Sequence, residues 1–221
     1  MSPALATELR QALGLRRAVE TGTYTGAGAR ALARVFAEVV TIELSPELHH
    51  AAAGALASSP NVVAIQGSSP ERLGPLAAEG VPSLYFLDGH WSGGPTAGAD
   101  EECPVLAEIA AIGAGHPDDC LVIDDARLFA AAPPPPHDAA HWPTLIELFD
   151  AVRAQRPTHH VTVLADQVLA VPRRAKPVLD RFGQREATLA AGELGAAARG
   201  LARSLRSRLA PARERLVRLR S

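Results

Sequence analysis

The chain has 221 residues, of which 47% are hydrophobic and 21% charged, a composition that excludes intrinsic disorder and suits one domain with an appendage. The net charge of −2 excludes a nucleic-acid binder on charge grounds, yet it hides an asymmetry. Residues 1–180 hold 12 Lys and Arg against 21 Asp and Glu, whereas residues 181–221 hold 10 Arg against 3 Glu.

Cys103 and Cys120 lie in apolar contexts and are too few for a disulfide framework or a cysteine zinc site, so they read as reduced core thiols. No apolar run approaches the ~18 residues of a membrane span. The N-terminal MSPALATELRQALGL lacks the long apolar stretch of a signal peptide. A reducing cytoplasm is the expected location.

The first expected strand, Arg17–Gly22, runs into Glu20-Thr21-Gly22-Thr23-Tyr24-Thr25-Gly26-Ala27-Gly28, with a helix over Ala27–Ala37. The glycine spacing is G-x-x-x-G. A G-x-G turn brings the backbone against a pyrophosphate, and Tyr24 at the corresponding position is too large for that approach. Glu20 would repel phosphate but could hold a cationic amine. The second strand, Val39–Leu44, closes on Glu43, 21 residues after Gly22, where an acid accepts from ribose hydroxyls. Together these residues describe a nucleoside ligand with a cationic tail and no phosphate.

Ser45-Pro46 opens a helix over Pro46–Ser58, since a capping residue before Pro at the first helical position is a start signal. The third strand, Asn61–Gly67, ends at Ser68, and Ser69-Pro70 opens a helix over Pro70–Glu79. The fourth strand, Ser83–Gly89, leads into Asp88-Gly89-His90-Trp91. A helix over Asp100–Gly113 would take Asp100, Glu101 and Glu102 into its first turn, where acids favour the dipole. The fifth strand, Cys120–Ala126, carries Asp124 and Asp125 at its end.

A proline-rich loop, Pro133–Trp142, then precedes a helix over Pro143–Ala154. Strands His160–Ala165 and Gln167–Arg173 follow too closely for a crossover, so they form an antiparallel hairpin turning near Asp166. The expected fold is α/β: a Rossmann-like seven-stranded, mostly parallel sheet with a terminal antiparallel hairpin and helices on both faces. In such a sheet the ligand binds beyond the carboxyl ends of the strands. Four of the first five strands end on acids there.

The E-x-G-x-x-x-G loop, the acid closing strand two and the terminal hairpin resemble the class I S-adenosylmethionine-dependent methyltransferases over roughly residues 10–175. That resemblance implies that Glu20, Gly22, Thr23, Tyr24 and Gly26 line the methionine part of the cofactor, with Asp88 also beside it. It implies further that Glu43 holds the ribose and that Ser68, where many relatives carry an acid, lies near the adenine. Asp88 after strand four and the pair Asp124 and Asp125 after strand five resemble the metal site of the macrocin-type sugar O-methyltransferases. By that resemblance the three would hold Mg²⁺ or a similar divalent cation, which suits hard oxygen ligands. The bare alternative is that Asp124 and Asp125 cap a turn and Asp88 is a solvated acid.

The implied activity is methyl transfer to a hydroxyl of a small molecule or sugar unit. A metal would lower the pKa of that hydroxyl, and an imidazole would take its proton. His90, two residues after Asp88, is the first candidate for the base, with a metal-ligand or packing role as alternatives. Its acidic surroundings should raise its pKa. His137 in the proline-rich loop is the second candidate, and Trp91 and Trp142 either stack on an acceptor ring or pack. The glycine-rich 92–100 stretch is placed to close on substrate.

A non-catalytic cofactor-binding module and a metal-dependent hydroxylase on the same scaffold are the rival readings. Residues 1–178 make the methyltransferase domain, and residues 179–221 a basic Arg/Leu/Ala-rich helical tail. The tail suits an anionic membrane surface, a partner or second subunit of a homo-oligomer, or a loosely ordered extension.

Overall fold

The computed structural model describes residues 1–91, 98, 101–131 and 133–192. The chain divides into two compact units, Met1–Leu179 and Asp180–Ser221. In the first unit, seven strands make one sheet in the order β3-β2-β1-β4-β5-β7-β6. The strands are β1 (Arg17–Thr21), β2 (Glu38–Glu43), β3 (Val62–Gln66), β4 (Ser83–Leu87), β5 (Cys120–Ile123), β6 (His159–Leu164) and β7 (Gln167–Pro172). The first five pair in parallel; β7 runs antiparallel to both β5 and β6.

Strands β1, β4, β5 and β7, inside the sheet, are buried at every residue, as helices covering both faces require. The edge strands β3 and β6 are only partly covered. The hairpin turns on Ala165 and Asp166, both at positive φ, the geometry of the tight turns whose twist matches the strands. The core between sheet and helices gathers Val19, Ile42, Leu73, Tyr85, Leu121 and Leu148.

Helices α1 (Pro3–Leu13), α2 (Ala27–Ala33), α3 (Pro46–Leu56), α4 (Ser69–Ala78), α5 (Val105–Ile112), α6 (Ala126–Ala130) and α7 (Leu145–Gln155) follow the expected alternation, with differences of physical origin. Helix α1 precedes the first expected element; Ser2-Pro3 repeats the cap-proline start, and Gly14, at φ 71°, ends the helix in the left-handed conformation. Helix α5 begins at Val105, so Glu101 and Glu102 are not in its first turn. Pro104 lacks an amide hydrogen and disfavours helical backbone at Cys103, so the helix starts after it. Strand β5 stops at Ile123 and not at Ala126, because Asp125 adopts φ 56° and α6 begins at once.

Residues 176–192 are helical. The expected closing segment 92–100, apart from Gly98, and the Leu/Arg repeats beyond residue 192 lie outside the described residues. Both cysteines are free and buried, and burial pushes the Cys103 thiol up to about 12. Among the described residues no helix is long and apolar enough to cross a membrane.

Candidate active site

The sheet order turns back at β1, which pairs with β2 on one side and β4 on the other. The crevice at this reversal receives the loop Glu20–Gly28, and its shape follows from three close approaches. Gly22 sits at φ 82°, and a Cβ there would overlap the Asp88 carbonyl oxygen, so the loop and the end of β4 touch backbone to backbone. Gly26 at φ 72° turns the chain into α2 with its Cα against Leu56. A Cβ on Gly28 would overlap the Glu20 carboxylate, which occupies the space that the glycine leaves.

Glu20 is therefore beneath the loop, 2% exposed. The Thr41 hydroxyl donates to Glu20 Oε2 at 2.7 Å, and the Thr23 hydroxyl lies 2.7 Å from the Thr41 hydroxyl. Burial raises the Glu20 carboxyl from 4.5 to about 7, against the Thr41 hydrogen bond and with the help of the Asp88 charge. Glu43 closes β2 and accepts the Tyr24 amide at 2.9 Å and the Ser45 amide at 3.0 Å. The first of these bonds holds Tyr24 at φ 47°, a left-handed conformation that costs a residue with a Cβ about 1–2 kcal/mol. Tyr24 and Leu44 are 54% and 46% exposed, so two large side chains stand uncovered at the crevice lip. Ser68, half-buried, is the residue before α4, and its side chain makes no capping bond.

A stability test follows for Glu20. Its folded pKa exceeds its unfolded value, so the preference for the protonated form contributes stability fully below pH 4.5 and loses it as pH rises through about 7. Glu20→Gln, which cannot ionise, should match the wild type at low pH and exceed it by about 3 kcal/mol above the folded pKa. Denaturant midpoints across that range check it; a difference independent of pH would refute the buried titration.

The acids after β4 and β5 meet an imidazole. His90 Nε2 lies 3.1 Å from Asp125 Oδ2, and Nδ1 lies 3.8 Å from Asp88 Oδ1. Burial draws the imidazolium pKa down, but the Asp125 hydrogen bond and the charges of Asp88, Asp125 and Asp124 outweigh it, so His90 is held above its ordinary value. Burial raises Asp88 to about 7 despite His90, with Asp124 and Asp125 adding to the rise. Asp125 Oδ1 also accepts from Arg127 at 2.6 Å, and Asp124 Oδ1 accepts from Gln167 Nε2 at 2.9 Å.

The expected divalent-cation site of Asp88, Asp124 and Asp125 is not assembled. Among the described residues no group of three or more His, Cys, Asp or Glu side chains is arranged to hold a metal ion. The donor oxygens are engaged separately: Asp125 by His90 and Arg127, and Asp124 by Gln167. As arranged, these residues do not fit the cation.

Two further acids are invisible as site residues in the sequence. Glu108 on α5 is 1% exposed and accepts from Ser69 Oγ at 2.5 Å; it also bonds Thr21, whose hydroxyl accepts the Asp88 amide at 3.2 Å. Its only signal is a carboxylate on the buried face of an apolar helix. Burial raises its pKa, and the network joins the ends of β1 and β4 to α4 and α5. Glu102 accepts from the Asp138 amide at 2.9 Å and Trp142 Nε1 at 2.8 Å, and its carboxylate lies 3.0 Å from His137 Nδ1. His137, Trp91, Trp142 and His90 make a chain of edge-on rings with centroids 5.1–5.6 Å apart. His141 is exposed.

No protein-family model and no curated protein matches the sequence. Solved structures do match. The SAH-bound methyltransferase PaMTH1 of Podospora anserina is 20% identical, with a TM-score of 0.50 over 78% of this chain and 79% of that one. An O-methyltransferase from Bacillus cereus in complex with SAH is 17% identical, with a TM-score of 0.53 over 78% and 82%. A putative O-methyltransferase from Klebsiella pneumoniae is 14% identical, with a TM-score of 0.52 over 77% and 79%. The sheet order, the terminal hairpin and these likenesses give one conclusion: the chain has the fold of the class I S-adenosylmethionine-dependent methyltransferases.

Proposed function

We propose that the chain is an S-adenosylmethionine-dependent O-methyltransferase that acts on a hydroxyl of a small molecule or sugar unit. The observation that carries this reading is the Glu20–Gly28 loop, folded against the Asp88 backbone at the sheet reversal with Glu43 closing β2 beside it. The crevice is acidic and has no basic side chain placed for a phosphate in that loop, which suits a cationic nucleoside. Two of the solved structures of like fold hold SAH.

Gly22, Thr23, Tyr24 and Gly26 would hold the amino-acid part of the cofactor, with Asp88 beside it and Glu20 bracing the loop from below. Glu43 would take the ribose, and Ser68 would stand near the base. The cofactor supplies an activated methyl group when bound. The chain's own task is to align an acceptor oxygen and remove its proton.

Calorimetry with S-adenosylhomocysteine tests the reading: saturable one-to-one binding is expected, and no heat with either this product or S-adenosylmethionine would overturn it. Labelled methyl transfer to a panel of hydroxylated sugars and phenols then separates an enzyme from a non-catalytic binding module. Repeating both measurements after chelation asks whether a divalent cation contributes.

A further inference from the structure

We propose that His137 is the proton acceptor of this reaction and that Glu102 is the residue that positions it. The inference rests on the methyltransferase reading and goes beyond it in assigning the base. It starts from the hydrogen-bond inventory of a buried carboxylate. Glu102 is 3% exposed; it receives bonds from Trp142 Nε1 and the Asp138 amide, and its carboxylate also meets His137 Nδ1. An indole and a backbone amide can only donate, and an ionised carboxylate can only accept. Burial raises the Glu102 carboxyl, but the bonds from Trp142, Asp138 and His137 outweigh it and hold it below its ordinary range. The hydrogen of the neutral His137 ring must then be on Nδ1, and the lone pair on Nε2.

The ring's orientation is fixed as well as its tautomer. His137 stands edge-on to Trp91 at 5.1 Å and to Trp142 at 5.6 Å. The Trp91 amide donates to the Glu102 carbonyl at 2.7 Å, so Glu102 clasps the loop after β4 and the proline-rich loop together. Asp138 caps the short turn that follows, accepting the Ala140 amide at 2.9 Å. Nε2 takes part in no hydrogen bond with the described residues, and the side chain is 16% exposed. A buried carboxylate that holds an imidazole by one nitrogen and leaves the other as a base is the arrangement that general-base catalysis uses.

His90, the first candidate from the sequence, is set among more acids and is more deeply buried. Both of its nitrogens face acids, Asp125 at 3.1 Å and Asp88 at 3.8 Å. Its side chain is 7% exposed against 16% for His137, so His90 offers less of its ring to an acceptor. In the proposed step the acceptor O–H proton passes to His137 Nε2 while an oxygen lone pair forms the bond to the methyl carbon. The C–S bond breaks and its electron pair stays on sulfur. Glu102 stabilises the imidazolium that results.

Two measurements test this, and the second needs only the wild-type protein, so a variant that fails to fold does not remove the test. Long-range ¹H–¹⁵N spectra above the imidazole titration range, with the His137 signals assigned from His137→Gln, should show the Nδ1–H tautomer. Acylation by diethyl pyrocarbonate, which needs a free nitrogen lone pair, should fall on His137 and spare His90 when sites are resolved by mass spectrometry. Glu102→Gln should lose the single tautomer, because its amide can donate to Nδ1, and Glu102→Asp, an acceptor still, should retain it. An Nε2–H tautomer in the wild type, or acylation of His90 with His137 spared, overturns the assignment. The expected tautomer in a protein that binds no S-adenosylhomocysteine overturns the methyltransferase reading instead.

Discussion

Gly22→Ala is expected to destabilise the protein by about 3 kcal/mol or more and to abolish S-adenosylhomocysteine binding. Two costs combine. At φ 82° an alanine pays about 1–2 kcal/mol for the left-handed backbone alone. The new methyl would also overlap the Asp88 carbonyl oxygen and lie 3.0 Å from the carbonyl carbon. Backbone is a poor neighbour to push, since Asp88 follows directly on β4, whose residues are all buried. Either the loop or the end of β4 must retreat, and both border the crevice. Denaturant titration and calorimetry read the two effects separately. A variant that loses less than about 1 kcal/mol and binds normally would refute the loop conformation. Gly54, on α3 with open space around its Cβ position, is the control: Gly54→Ala should be neutral or stabilising.

The strands and their ends were legible in the sequence because both are local. Five apolar runs, two cap-proline starts and a hairpin with no room for a crossover each lie within 14 residues, and all seven strands appear within three residues of their expected bounds at every end. Legibility failed where a contact joins residues far apart. His90 and Asp125 are separated by 35 positions, as are Glu102 and His137. Their pairing depends on where loops settle once the sheet is built. The acids after β4 and β5 were foreseeable as a charged edge, but their partners were not, and the partners decide the chemistry. With Asp125 on His90 and Arg127, and Asp124 on Gln167, the oxygens of this pair are engaged by the chain's own side chains. The placement of Glu102 went astray for a local reason: its proximity to a helix suggested a first-turn acid, whereas Pro104 moves the start of α5 beyond it.

The opposite end of the sheet carries the second large effect. Asp119 precedes β5 with a side chain 1% exposed, and it accepts the Ser83 amide at 2.8 Å, the His116 amide at 2.9 Å and Arg156 Nη2 at 3.3 Å. His159 Nε2 lies 2.9 Å from the Asp119 carbonyl oxygen, so one residue ties the starts of β4, β5 and β6 to the end of α7. Asp119→Ala leaves the Arg156 guanidinium, also 1% exposed, buried without its counter-charge, and should cost about 3–5 kcal/mol. Arg156→Met should cost a comparable amount for the converse reason. The double variant should lose clearly less than the two single losses together, because neither charge is then stranded. These residues sit at the amino ends of the strands and the crevice at the carboxyl ends, so the affinity of the folded fraction for S-adenosylhomocysteine should stay unchanged. Urea titrations of the four proteins, each paired with calorimetry, would establish this. Strict additivity would show that the pair is not coupled. A fall in affinity would show that the two ends of the sheet are linked, and the crevice would then owe its shape to more than the loop and the Asp88 turn.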